Sequence, residues 1–299
     1  MSERLIFHVE PEYDNMQAKR YLKQVHGLSA RLITKLKNID GGITMDGELL
    51  RAVDQVRAGG TIVISLPEED FEYIERVEGR LDVLYEDEFI LAVNKPPFMP
   101  VHPVKQHQTD TLANIVAFYA GQKGESYVFR AHNRLDRDTS GIVIIAKDKF
   151  TINRLKGSVR KKYYALVHGK ISESGTVAEP IGLLEDSKIV RHVLPQGSPA
   201  VTHYKPLVYN DKASFLSLVL ETGKTHQIRC HMSHLGHPLV GDDLYGGKRE
   251  FINRQALHCG EAVLIHPVTG KKINLMAPLP EDIITALAAY NLKEDQPLG

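Results

Sequence analysis

Residues Asn133-Arg134-Leu135-Asp136-Arg137-Asp138-Thr139-Ser140-Gly141 are the densest charged, turn-prone stretch of the chain, and they run without a spacer into the apolar residues 142–146. An uninterrupted apolar run rich in isoleucine favours a buried strand. Charge set directly against a buried strand suggests a site. A carboxylate there, flanked by Arg134 and Arg137, is expected to stay ionised at neutral pH, because nearby positive charge favours the charged form. An ionised carboxylate can act as a nucleophile. The plainer alternative is a loop in which Asp138 or Thr139 caps a turn and the arginines form weak surface ion pairs.

Around this stretch, short β-rich runs dominate from about residue 79: 90–93, 142–146, 163–167 and 215–220, with a helical stretch over 111–119. Their alternation predicts a mixed α+β catalytic domain. At 299 residues the chain exceeds most single cores, so two domains are expected. A hydrophobic content of 42% with 25% charged residues fits a globular chain and excludes a disordered one. The start carries no basic segment followed by an apolar core, and residues 142–146 are too few to cross a bilayer; a cytoplasmic protein with no membrane partner is expected. Cys230 and Cys259 each adjoin a histidine and predict reduced, buried thiols rather than a disulfide framework.

Net charge is zero, with 37 acidic and 37 basic residues, so no global field marks a nucleic-acid binder. The local distribution differs. Between Asn15 and Ile39 there are six basic residues, Lys19, Arg20, Lys23, Arg31, Lys35 and Lys37, and no acid. Ala18, Tyr21, Leu22 and Val25 recur at helical spacing ahead of Gly27, and Ser29 can cap a second helix built on Leu32, Ile33 and Leu36. Asp46-Gly47 between two short runs reads as a type I′ hairpin turn, and residues 61–66 as a further strand. The basic residues then line one side, either as an RNA-binding face or as a solvated helix surface. Residues 67–80, rich in glutamate, read as an acidic linker. The catalytic domain is expected over 81–290 and a polar tail over 291–299.

Arg134-Leu135-Asp136-x-x-Thr139-Ser140-Gly141 resembles the signature of the RluA-type RNA pseudouridine synthase family. Two further segments match it in order: Lys161-Lys162-Tyr163-Tyr164-Ala165-Leu166-Val167, and Thr222-Gly223-Lys224-Thr225-His226-Gln227-Ile228-Arg229 continuing to Gly241-Asp242. Leu257-His258 and His266-Pro267-x-Thr269-Gly270 resemble its C-terminal signature. Residues 1–66 resemble the S4 RNA-binding domain. Asn133 departs from the histidine that many members carry, and Met16-Gln17-Ala18 departs from the usual S4 start.

The resemblance implies a largely antiparallel β-sheet catalytic domain flanked by helices, plus a small α+β S4-like domain. It implies isomerisation of uridine in RNA: the glycosidic bond breaks, the uracil turns, and C5 is rejoined to the sugar. Asp136 would be the reacting carboxylate, at C1′ or through loss of a C2′ proton. Arg229 would pair with it, Tyr163 would stack on the uracil and serve in proton transfer, and Arg134 would fill the gap left by the extruded base. Thr139, Lys161 and Ile228 would complete the substrate site. No cofactor and no metal is implied; the partner would be RNA, with 23S ribosomal RNA favoured over transfer RNA, and the enzyme a monomer. The rival is a catalytically silent RNA-binding or ribosome-assembly protein on the same fold, against which intact Asp136, Tyr163 and Arg229 argue.

Other readings are weaker. A second basic stretch, Lys147, Lys149, Arg154, Lys156, Arg160, Lys161 and Lys162, suits phosphates or a plain solvated helix. His226, His231, His234 and His237 crowd around Cys230 as a zinc site would. Gly223-Lys224-Thr225 lacks the upstream glycine of a phosphate loop, since Leu218 stands there. Asp136 and Asp138 are too close in sequence to flank a glycosidic bond as a hydrolase pair would.

Overall fold

In the computed structural model the apolar run becomes the strand Ser140–Ala146, every residue of which is buried. The structure describes residues 4–28, 30–65, 74–126, 128–184 and 189–292. Ser29, the expected helix cap, and the acidic residues 68–72 lie outside the described residues. The chain divides into two compact units, Met1–Glu72 and Tyr73–Gly299.

Among its described residues the first unit has a four-stranded antiparallel sheet with the helices Ala18–Gln24 and Ala30–Leu36. The hairpin Ile43–Met45 to Glu48–Leu49 turns through Asp46 at φ 54° and Gly47 at φ 87°, as a type I′ turn requires. A strand absent from the sequence reading, Arg4–His8, pairs along Thr61–Ser65. Its signal was the alternation of buried Leu5 and Phe7 with exposed Ile6 and His8. Tyr21, Leu22, Ile33, Leu36, Ile62 and Ile64 are fully or almost fully buried, so the apolar spacing that predicts the two helices is their inward face.

In the second unit the described residues form a ten-stranded sheet whose main path runs Gly175–Val177, Thr202–Tyr209, Ala213–Leu220, Val159–His168, Leu257–Ile265, Ser140–Ala146, Ile90–Lys95, Val83–Glu86. Neighbours are antiparallel except Leu257–Ile265 against Ser140–Ala146, which meet in parallel at His258 and Cys259. This short parallel contact decides where the site can form. A Cβ on Gly141 would lie 2.3 Å from the Cys259 carbonyl oxygen, and its φ is 115°, so only glycine fits. The same Cys259 is opposite Tyr163 on the next strand. Gly141, five residues beyond Asp136, therefore forms one row across three strands with Cys259 and Tyr163.

Residues 74–80 have no regular structure, but they do not hang free. The Glu75 carbonyl accepts from Asn114 Nδ2 at 2.8 Å, and Gly79 passes so close to Ile115 that a Cβ would sit 2.8 Å from its Cδ1. The His-Pro-x-Thr-Gly segment is a turn held by His266, whose Nδ1 accepts from the Thr269 amide at 2.9 Å and whose Nε2 lies 2.8 Å from Asp87.

Candidate active site

Asp136 opens a tight turn closed by the Thr139 amide on its own carbonyl at 3.1 Å. Two buried basic side chains tether that turn from behind. Lys95 Nζ donates to the carbonyls of Pro96, Met99 and Arg137 at 2.8, 2.8 and 3.0 Å. Arg254, fully buried, donates to the Asp138 carbonyl at 3.1 Å and pairs with Asp282 at 2.6 and 2.9 Å. Burial lowers the basicity of Lys95 to about 7, and its three bonds together with that of Arg254 fix the loop from both sides. Asn133, the departure from the family pattern, donates to the Ile142 carbonyl and accepts from the Ile144 amide. It thus acts as a short neighbour strand for the start of the buried one.

The expected partner of Asp136 is where the resemblance implied: Arg229 Nη1 donates to Asp136 Oδ2 at 3.1 Å. The expectation that Arg137 supplies part of the flanking charge is corrected. Arg137 turns away to pair with Asp138 at 2.7 Å, and Arg134 is exposed. Arg134 lines the cleft beside Asp136, but the cation hydrogen-bonded to the carboxylate comes from 93 residues away.

Arg229 belongs to the helix Gln227–His234 and is itself gripped more tightly by a residue the sequence reading did not single out. Asp242, 1% exposed, takes Nε and Nη2 of Arg229 at 2.6 and 2.7 Å in a two-pronged pair. Burial works against the guanidinium charge, but the two carboxylates outweigh it and raise its basicity. The signal available in sequence was its place at the end of the matched segment, Gly241-Asp242, to which no role had been attached. Gln227, 2% exposed, locks the preceding loop: its amide donates to Val201 O and Thr202 Oγ1, and its carbonyl accepts from Thr222 and Lys224.

Tyr163 lies 7% exposed in the cleft wall. Burial, aided by the neighbouring Cys259 thiol and the Asp136 charge, pushes its hydroxyl well above the ordinary range, so the phenol stays protonated. Burial likewise pushes the Cys259 thiol up to about 12. Around Asp136 the cleft is lined by Arg134, Thr139, Tyr163, His226, Ile228 and Arg229. It opens into a groove of about 680 Å³, to which Lys161, His102 and His132 contribute. That volume is within the roughly 300–1000 Å³ of ligand sites. Thr139 is 2% exposed, and its hydroxyl accepts from Gln255 Nε2 at 3.1 Å.

Not every expected group is at the cleft. Lys147 is 6% exposed and held by Glu86 and Glu125, and Lys162 pairs with Glu261. These two cations of the second basic stretch are thus neutralised within the fold, while Lys156 and Arg160 remain exposed. The histidines around Cys230 are dispersed. His231 binds Thr202 Oγ1 and the Glu179 carbonyl, His237 binds the His168 carbonyl, and His234 is exposed. Among the described residues, no three His, Cys, Asp or Glu side chains converge as a metal would need. No described helix is long and apolar enough to cross a membrane. In the first unit, Lys19, Arg20, Lys23, Lys35 and Lys37 are all exposed; the side chain of Arg31 lies outside what is described.

Residues 89–234 match the family model for RNA pseudouridylate synthase. The chain is 40% identical over 283 residues to an RNA pseudouridine synthase of Bacillus subtilis, YjbO, covering 92% of this chain and 100% of the relative. It is 36% identical over 278 residues to the ribosomal large subunit pseudouridine synthase D of Pseudomonas aeruginosa, with 86% of each chain covered. In three dimensions it resembles human RNA pseudouridylate synthase domain containing 4, with a TM-score of 0.57 and 25% identity, over 72% of this chain and 94% of that one. With the carboxylate, its arginine and a buried tyrosine assembled in one cleft, and with relatives matched over nearly its whole length, the chain belongs to the RNA pseudouridine synthase family and is an isomerase of that class.

Proposed function

We propose that the enzyme converts specific uridines of structured RNA to pseudouridine with Asp136 as the reacting carboxylate, and that its substrate is large-subunit (23S) ribosomal RNA rather than transfer RNA. The observation that carries this reading is the 3.1 Å contact of Asp136 with a buried Arg229 at the floor of an open groove. The second oxygen of the carboxylate is then free for C1′ or the C2′ proton. Tyr163 offers a ring for the uracil to stack on and, being protonated, a donor rather than a base. Ile228 closes the apolar side of the pocket. The target base must leave its stack, at a cost of a few kcal/mol, and exposed Arg134 at the rim is suited to take its place. Thr139 and Lys161 complete the substrate site.

Ribosomal RNA is favoured because a relative 36% identical over 278 residues is a ribosomal large subunit enzyme. We assign residues 1–66 to an S4-like RNA-binding domain, whose exposed Lys19, Arg20, Lys23, Lys35 and Lys37, with Arg31, would contact phosphates. The enzyme is taken to act as a cytoplasmic monomer without cofactor. Mapping pseudouridines in total RNA from a strain lacking the gene tests the substrate. Loss of one or a few sites in large-subunit RNA is expected; loss confined to transfer RNA, or no loss, would overturn the assignment.

A further inference from the structure

The helix that carries Arg229 begins on a strained residue. His226 has φ 56° and ψ 20°, in the left-handed region that costs a residue with a Cβ about 1–2 kcal/mol. Its side chain makes no helix-capping bond, so capping does not explain why a histidine stands there. Backbone strain held at the wall of a cleft directs attention to what the side chain does.

The imidazole lies between Asp136 and Tyr245. His226 Nε2 is 3.8 Å from Asp136 Oδ2, and Nδ1 is 3.0 Å from the Tyr245 hydroxyl. That hydroxyl accepts the Arg191 amide at 2.8 Å, which directs its own proton to His226 Nδ1. In the tautomer that matches this arrangement, Nε2 carries the imidazole hydrogen and faces the aspartate. The Tyr245 ring also lies 4.9 Å from Arg229 Cζ and edge-on to the His226 ring at 5.7 Å. Tyr245 ends the short turn Asp243–Tyr245, directly after the Asp242 that grips Arg229. One segment, 242–245, thus sets both donors that face Oδ2.

We propose that His226, oriented by Tyr245, is a second positioning residue for Asp136, acting with Arg229 on Oδ2 so that Oδ1 is the oxygen presented to the extruded nucleotide. The proposal rests on Asp136 being the reacting carboxylate. A separation of 3.8 Å is longer than a formed hydrogen bond, and such contacts tighten when substrate fills a cleft. The charged and titratable groups facing the imidazole are Asp136, Arg229, Asp242, Arg191 and Tyr245. Burial lowers its basicity, so it is a neutral donor at neutral pH. A neutral donor orients a carboxylate without drawing off its nucleophilicity as a second full positive charge would.

The test is turnover of RNA by the full-length enzyme and its His226→Asn, His226→Gln, Tyr245→Phe and Asp136→Asn variants, with melting temperatures measured alongside. Asparagine tolerates the left-handed backbone but cannot reach Asp136, whereas the glutamine amide reaches about as far as Nε2. His226→Asn is expected to lower kcat about 10- to 100-fold with KM nearly unchanged and no loss of melting temperature. His226→Gln should recover most of that loss, and Tyr245→Phe should fall between. A His226→Asn enzyme with kcat within about twofold of the parent overturns the proposal, as does a loss that glutamine does not rescue and that follows a falling melting temperature. Undiminished turnover by Asp136→Asn would instead reject the underlying reading of the aspartate.

Discussion

Replacing Asp242 with alanine removes the group that fixes Arg229. Two bonds of 2.6 and 2.7 Å disappear from a guanidinium side chain only 7% exposed. Breaking a buried ion pair by deleting one partner costs roughly 3–5 kcal/mol, because the other charge is left behind. Here the 3.1 Å contact with Asp136 and the Tyr245 ring at 4.9 Å retain part of the compensation, so the lower end applies, about 3 kcal/mol. For a unit of this size, 1 kcal/mol moves the melting temperature by about 2–4 °C, so a fall of roughly 6–12 °C is expected. Freed from Asp242, the guanidinium no longer aims at Asp136, and a misplacement of about 1 Å is worth on the order of 100-fold in turnover. Thermal unfolding and single-turnover conversion measure the two effects separately. Arg229→Met combined with Asp242→Leu should recover much of the stability but none of the activity, since no buried charge is then unpaired. A melting temperature for Asp242→Ala within about 2 °C of the parent would refute the reasoning, as would a double variant no more stable than the single one.

Gly141→Ala should cost at least about 2–3 kcal/mol or prevent soluble expression, because the new Cβ would meet the Cys259 carbonyl at 2.3 Å; soluble yield and melting temperature check this. His258, pushed down to about 4 by burial, bonds Ser140 Oγ at 2.9 Å as a neutral ring. Because its folded-state pKa lies below the ordinary 6.5, its stabilisation is present above pH 6.5 and is lost as pH falls through 4. Unfolding free energies measured from pH 7 to 4 should therefore decline more steeply for the parent than for His258→Gln. Changing Lys19, Lys23, Lys35 and Lys37 to glutamine should weaken RNA binding and flatten its salt dependence, by about 0.7–0.9 in logarithmic slope for each phosphate no longer neutralised; an unchanged slope would count against a nucleic-acid face there.

The Asp136 loop and its strand could be read directly, because contiguous charge, turn residues and an apolar run act locally. The same locality misled the electrostatics: proximity in sequence made Arg134 and Arg137 the obvious partners of Asp136, yet Arg137 pairs with Asp138. What holds the aspartate comes from beyond sequence range. Arg229 was placed by resemblance, but Asp242, Tyr245 and His226 do their work only once the loop before the helix Gln227–His234 has been locked by Gln227. The left-handed backbone of His226 has no signature in residue type. The basic run at 147–162 illustrates the converse, since a lysine such as Lys147 can be neutralised inside the fold by Glu86 and Glu125. Charge counts along a chain do not distinguish a neutralised cation from one left for phosphate.

The central claim is that one ionised side chain, Asp136, carries the isomerisation. It is tested most directly by comparing Asp136→Asn with the parent on the RNA that the strain mapping identifies, measuring pseudouridine formed, RNA affinity and melting temperature on the same preparations. Formation of pseudouridine falling below detection, with affinity and melting temperature unchanged, is the expected result. Conversion within about tenfold of the parent by that variant would contradict it.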